Sequence, residues 1–192
     1  GMLYYCPQIW CSDNTDAIER LRIQYGTSFG YPMSSVSAHV SVCPNHQNHR
    51  VTPFKTRGIC AMQGTFGYEL DLSKMTDEEK KMAGEQIAFF KEHGRLFQFG
   101  DYYRLTSPFE NRDYTVWEYA AQDGSEACMS VVYTDMYANA ASEIVKWKGL
   151  DPKKVYQMQL DGEDAGNFSG AALMHAGILL PLPEQNYDAF QI

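Results

Sequence analysis

The sequence predicts an α/β segment over residues 1–100 followed by an all-β segment over residues 101–192. Three observations predict this order. An apolar run over residues 2–11 breaks into the polar cluster Ser12-Asp13-Asn14-Thr15-Asp16, and a helical pattern starts straight afterwards. A buried strand hands over to a helix in this way at the rim of an α/β sheet or barrel. Two further strand-then-helix patterns follow before Gly94. From Asp101 onwards, runs of Tyr, Val and Thr are punctuated by Asp123-Gly124 and Asp161-Gly162, both hairpin signals.

Residues 2–10 form the first predicted strand, and residues 17–25 the first helix, stopped by Gly26. Asp16 and Glu19 have the spacing of a capping box, with Asp16 as N-cap. Asp16 therefore has a structural task. Asp13 lies before the cap, on the strand-to-helix turn, where no local helix donor needs it. It is the carboxylate left free for chemistry. Val36, Ala38, Val40 and Val42 alternate with Ser35, Ser37, His39 and Ser41, which predicts a strand with one polar face. Thr52-Pro53 opens the second helix, with Pro at its first position and Gly64 beyond its end. Residues 66–72 read as the third strand. Thr76-Asp77-Glu78-Glu79 is a capping box, and its helix runs to about His93, with Gly94 after it. In the second half, residues 116–121 and 127–134 read as an antiparallel pair within a β-sandwich.

Composition narrows the function classes. The chain carries 24 acidic and 16 basic side chains, a formal charge of −8. With no Lys/Arg stripe, this excludes nucleic acid as the expected partner. The run Ile178-Leu179-Leu180 is stopped by Pro181, far short of the roughly 20 apolar residues that span a bilayer. No membrane segment or secretory signal is expected. Five cysteines, Cys6, Cys11, Cys43, Cys60 and Cys128, include no CxxC pair. An odd, scattered set reads as reduced thiols in a cytoplasmic protein. His39, His46 and His49 have no Cys or carboxylate completing a standard ligand set, so they are expected on a polar rim, and no metal or cofactor is expected.

Long ordered strings carry a resemblance. They are Gly1-Met2-Leu3-Tyr4-Tyr5, Pro7-Gln8-Ile9-Trp10, Ser12-Asp13-Asn14-Thr15-Asp16-Ala17-Ile18-Glu19-Arg20-Leu21 and Ile23-Gln24-Tyr25-Gly26-Thr27-Ser28. Ala38-His39-Val40-Ser41, Pro44-Asn45-His46-Gln47, Thr56-Arg57-Gly58 and Gly64-Thr65-Phe66-Gly67-Tyr68-Glu69-Leu70-Asp71-Leu72 continue them, and Lys148-Gly149-Leu150-Asp151-Pro152 lies near the end. The chain resembles the bacterial α-galactosidases of glycoside hydrolase family thirty-six, with matches strongest over residues 2–72.

The resemblance implies that residues 1–100 are the last three βα units of a (β/α)8 TIM barrel, and that residues 101–192 are the C-terminal β domain. It implies a retaining mechanism on terminal α-galactosyl groups of melibiose- and raffinose-type oligosaccharides. Asp13 matches the general acid/base. The family's nucleophile, the aspartate of a Lys-Trp-Asp string, has no match: Lys146-Trp147 is followed by Lys148. Cys6 and Cys11 stand where the family more often has Met and Thr. Trp10, Ser12 and His39 are the candidate substrate-binding residues. Trp10 is either a sugar-stacking platform or a core aromatic. His39 either faces the barrel mouth or is a hydrogen-bonding rim residue. The chain is thus expected to be part of an α-galactosidase. The alternative is a fragment that folds, self-associates and has no turnover. Three parallel βα units cannot close a barrel, so a homo-oligomer is expected.

Overall fold

Strand and helix segments alternate through the first half, and the strand segments run parallel. In the computed structural model, which describes residues 1–192, this half is one unit, Gly1–Gln98, and Phe99–Ile192 is a second. Unit one begins with the short helix α1 (Met2–Tyr5). Ile9 then bridges to Val36 in parallel, through Ile9 N to Ser35 O and Ser37 N to Ile9 O, both 2.8 Å. Helix α2 (Ala17–Thr27) follows. Strand β1 (Val40–Ser41) pairs in parallel with β2 (Tyr68–Glu69), Val40 opposite Tyr68. Helix α3 (Phe54–Ala61) connects them, and α4 (Asp77–Glu92) and α5 (Gly94–Phe99) follow.

Packing explains this arrangement. Ala38, Val40, Phe54, Ala61, Met75 and Ala83 form one buried apolar cluster, with Phe66, Tyr68 and Leu70 against it. Helix α2 turns Ile18, Leu21 and Gln24 inward, and the Gln24 amide donates to Gln63 Oε1 and to the Cys60 carbonyl. Close approach sets one residue type: a Cβ on Gly64 would stand 2.4 Å from the Val36 carbonyl oxygen. Thr65 N donates to that same oxygen at 2.9 Å. Thr76 and Glu79 form the predicted capping box at the start of α4.

Several expected elements are shorter or different. Residues 2–10 are not a strand. The first turn closes its own hydrogen bond, Cys6 N to Met2 O at 2.8 Å, and Met2, Tyr4 and Tyr5 are exposed. A segment without a neighbouring strand along its length gains nothing from staying extended. Gly26 does not stop α2. Thr27 Oγ1 and Ser28 Oγ donate to the carbonyls of Ile23 and Tyr25, covering the helix end two residues later. Pro53 is the N-cap of α3 rather than its first residue. The strand expected at residues 66–72 ends at Glu69, because the Asp71 carboxylate accepts from Ser73 N and Ser73 Oγ and folds residues 72–74 into a 3₁₀ turn. Val42, expected on the inner face, is exposed. Gly94 opens α5 instead of ending the helical region.

The second unit is antiparallel. Strands β3 (Asp101–Arg104), β4 (Tyr114–Ala120) and β5 (Ala127–Tyr133) pair in sequence order. Next come β6 (Ile144–Val145), β7 (Val155–Leu160), β8 (Glu163–Ser169), α6 (Gly170–His175), β9 (Ile178–Leu179) and β10 (Ala189–Gln191). The four-stranded sheet has the order β10-β5-β4-β3, and β6 with β9 and β7 with β8 form two small sheets. Both hairpin signals act as read. Asp161 and Gly162 lie at φ 51° and 85°, the two positive values that a tight β7–β8 connection needs. Tyr114, Val116, Met129, Val131, Val145, Trp147, Leu173 and Leu180 make the core.

One carboxyl group is sealed inside this unit. Glu118 on β4 is fully buried, and its Oε2 accepts from Lys148 N at 2.9 Å. Burial pushes its carboxyl up to about 8, with the Lys148 amide and ammonium opposing the shift.

Candidate functional site

The site is built around the turn from Ser12 to Asp16. Its two carboxylates have opposite surroundings. Asp16 is buried and caps α2, its Oδ1 accepting from Ile18 N at 2.8 Å and Glu19 N at 3.4 Å. Its Oδ2 accepts from Arg50 Nη1 at 2.7 Å and from the Asn48 amide. Arg50 also reaches Glu19, at 3.7 Å. Asp16 N, which a full capping box would offer to Glu19, donates instead to Asn14 Oδ1 at 3.0 Å. Every lone pair of Asp16 that matters is therefore engaged. Asp13 is exposed, and its carboxyl has no partner within the chain. Only its backbone carbonyl is held, by Gln47 Nε2 at 2.9 Å.

The rest of the turn is fixed from two sides. Asn14 N donates to Ser12 Oγ at 3.2 Å, so Ser12 shapes the turn with its side chain. From α2, Arg20 Nη1 donates to the Ser12 carbonyl at 3.1 Å and Nη2 to the Ser37 carbonyl at 2.9 Å. From the loop after β1, Gln47 Oε1 accepts from Thr15 N at 3.0 Å, and Asn45 Nδ2 donates to Thr15 Oγ1 at 3.1 Å. The loop holds itself through Asn45 Oδ1, which accepts from Gln47 N and Asn48 N.

Trp10 and His39 come together as a stacked pair, ring centres 4.6 Å apart and planes within 13°. The Arg20 guanidinium carbon lies 4.3 Å from the Trp10 ring centre. Trp10 is 39 % exposed, yet its aromatic surface already packs on a cation and an imidazole of its own chain. His39 Nδ1 stands 3.3 Å from Glu69 Oε2, with the His39 side chain mostly buried. Burial lowers its pKa, the Glu69 carboxylate opposes this, and the Arg20 charge adds to the lowering. A histidine below its usual range is neutral at pH 7. A small cleft beside it is lined by Asp16, His39, Ser41, Asn45, Arg50 and Arg57. No group of three His, Cys, Asp or Glu side chains is gathered closely enough to hold a metal ion.

Sequence reasoning singled out Asp13, Trp10, Ser12 and His39 and missed the residues that hold the turn and its cap: Arg20, Asn45 and Gln47, with Asn48 and Arg50 on Asp16. A signal was present. Pro44-Asn45-His46-Gln47-Asn48-His49-Arg50 is an unbroken polar string between strand and helix. Three amides in four residues are unusual unless they bond to backbone nearby.

Chemically, the Asp13 carboxyl is free to meet a group presented from outside the chain, and the Asp16 carboxyl is not without losing its cap and ion pair. Comparison with known proteins gives the class first. Residues 114–192 match the glycosyl hydrolase family 36 C-terminal domain. Residues 1–100 match the melibiase family, and the chain belongs to that family. It is 51 % identical over 191 residues to a bifunctional α-galactosidase/sucrose kinase of Mediterraneibacter gnavus, covering 100 % of this chain and 20 % of that protein. It is 49 % identical over 187 residues to the α-galactosidase AgaA of Geobacillus stearothermophilus, covering 97 % of this chain and 25 % of that one. The solved galactosidase domain of an α-galactosidase–sucrose kinase superposes with a TM-score of 0.93 at 51 % identity, over 100 % of this chain and 26 % of that chain. A Geobacillus stearothermophilus AgaA variant in complex with raffinose superposes with a TM-score of 0.93 at 46 % identity, over 100 % and 26 %. The chain thus spans about a quarter of the length of these relatives.

Proposed function

We propose that this chain is the part of an α-galactosidase that supplies the general acid/base, Asp13, for hydrolysis of terminal α-galactosyl groups. In this reading the parallel segments at Ile9, Val36 to Ser41 and Tyr68 close a (β/α)8 barrel, and the second unit is its C-terminal β-sandwich. The observation that carries it is the contrast at the turn. Asp13 is exposed and unpartnered on a backbone held from both sides, while Asp16 is consumed by its cap and by Arg50.

A retaining glycosidase needs two carboxyl groups about 5–5.5 Å apart, one protonated to assist the leaving oxygen and one ionised to attack the sugar. Asp13 serves the first role and then, deprotonated, activates the water that ends the reaction. The attacking carboxylate is not among the residues placed at this turn. Residues 1–192 alone therefore bind and turn over an α-galactoside poorly. Trp10 and Ser12 shape the mouth of the site, and neutral His39 offers hydrogen bonding there. Exposed Met2, Tyr4, Tyr5, Phe29, Tyr31 and Val42 in the first unit support a reading in which other protein surface covers it, from a longer chain or from a second copy. All five cysteines are unpaired, in keeping with the reducing cytoplasm as its setting.

The test uses a full-length family enzyme that carries this chain as its matching quarter. Asp13→Ala should slow melibiose, a poor leaving group, far more than an activated aryl α-galactoside. Added azide should restore part of the aryl rate. If Asp16→Ala gives that pattern and Asp13→Ala does not, the roles of the two carboxylates are reversed.

A further inference from the structure

The loop after β1 contributes no group to the proposed chemistry, yet it spends its side chains on the turn that carries Asp13. Gln47 is the centre of this. Its amide bridges the turn on both sides of Asn14: Nε2 donates to the Asp13 carbonyl at 2.9 Å, and Oε1 accepts from Thr15 N at 3.0 Å and lies 3.4 Å from Thr15 Oγ1. A primary amide can give and take at once, which neither a carboxylate nor a hydrocarbon side chain of that length can do. Gln47 is itself set by Asn45, whose Oδ1 accepts from Gln47 N at 2.9 Å and whose Nδ2 reaches Thr15 Oγ1 at 3.1 Å.

These bonds are not needed to start α2. Asp16, Asn48 and Arg50 already anchor its first turn. Nor are they needed to hold the Ser12 side of the turn, which Arg20 ties down. They fix the Asp13–Asn14 and Asn14–Thr15 peptides, on the C-terminal side of Asp13. The Asp13 carboxyl has no hydrogen bond of its own, so the backbone sets the direction in which its side chain leaves the turn. A misplacement of about 1 Å at a reacting group can cost on the order of 10²-fold in rate.

We propose that Gln47 is a positioning residue for the reaction, aiming the Asp13 carboxyl at the leaving-group oxygen through the Asp13 and Thr15 backbone, with Asn45 holding Gln47 in place. The inference rests on Asp13 being the acid/base. It adds that the acid works only while an amide 34 residues away clamps its peptide.

The experiment uses the same full-length enzyme carrying this chain, with melibiose and an activated aryl α-galactoside as substrates. Gln47→Ala should lower kcat on melibiose at least about tenfold more than on the aryl substrate, with KM little changed, and azide should partly restore the aryl rate. Gln47→Glu can still accept from Thr15 but cannot donate to the Asp13 carbonyl. It should fold with nearly the parent thermal midpoint and still show the melibiose defect. Asp13→Ala run in parallel separates the two ideas. If it shows no leaving-group split, the acid/base reading fails. If Asp13→Ala shows the split while Gln47→Ala slows both substrates equally or neither, the acid/base reading stands and the positioning role is overturned. A Gln47→Glu enzyme indistinguishable from the parent on melibiose also overturns it, because the clamp on Asp13 would then be dispensable.

Discussion

The two halves of this chain build sheets to very different degrees of completion. In the second unit β4 and β5 have seven residues each and pair at all seven positions, from Tyr114 opposite Tyr133 to Ala120 opposite Ala127. In the first unit β1 and β2 have two residues each, and a single bridge joins Ile9 to Val36. An antiparallel pair is closed by a short turn, so neighbours in sequence become neighbours in the sheet. A parallel strand depends on segments a helix away, and on cover for both faces. The first unit therefore keeps its helices and core but leaves its strands short and its first residues bare. It is unfinished chemically in the same sense, holding one free carboxylate at the Ser12–Asp16 turn where the proposed reaction needs two.

The comparison is most sharply tested by activity. The 192-residue chain alone should hydrolyse an aryl α-galactoside on the order of 10⁶-fold more slowly than a full-length enzyme carrying it, the scale of removing one member of a catalytic group that acts as a unit. Turnover by the pure chain that vanishes in Asp13→Asn would show the first unit to be chemically complete after all. The next effect lies in the second unit. Met129→Ala removes a fully buried side chain from its core and should cost about 2–5 kcal/mol, read as a lower urea midpoint. A cost well below 1 kcal/mol would deny that this unit has the better packed interior.

Glu118 gives that unit a pH dependence. Its folded pKa of about 8 lies above the ordinary glutamate value of 4.5. The folded state therefore holds a proton that the unfolded state releases. This contribution is fully present below pH 4.5 and is lost as pH rises through about 8. A shift of that size corresponds to a loss of about 5 kcal/mol. Urea midpoints at pH 5 and pH 9 should differ much more in the parent than in Glu118→Gln. Equal differences would place the pH dependence elsewhere.

The smallest effect separates the two carboxylates of the Ser12–Asp16 turn. Asp16→Ala loses a helix cap and leaves Arg50 without its nearest anion, a cost of about 2–3 kcal/mol. Asp13→Asn should change stability by less than about 0.5 kcal/mol, because no hydrogen bond is lost. Thermal midpoints of the two variants decide this, and equal losses would erase the division of labour between them.

The legible parts of the sequence were those whose cause is local. Asp16 as N-cap, the Thr76–Glu79 box and the Asp161-Gly162 turn each follow from residues within a few positions, and each stands where it was read. So did the freedom of Asp13, which follows from its place three residues before the cap. What escaped depended on distant partners. Residues 2–10 looked like a strand, but hydropathy does not say whether a neighbouring strand is present to pair with. Leu72 looked like the end of a strand until Asp71 claimed the backbone of Ser73. The Gln47 clamp bridges 34 positions, and no periodicity reports a hydrogen bond between two loops.

The three-residue interval from Asp13 to Asp16 has a consequence for how such genes can vary. Asp16 is pinned to the helix and Asp13 to Gln47, so the interval behaves as a ruler with both ends nailed down. A one-codon insertion or deletion at Asn14 or Thr15 would leave the reading frame, the helix and the core intact while moving the proposed acid/base off its mark. Length changes there should be counted among silent-looking lesions: the protein accumulates normally, and only the proposed hydrolysis is lost.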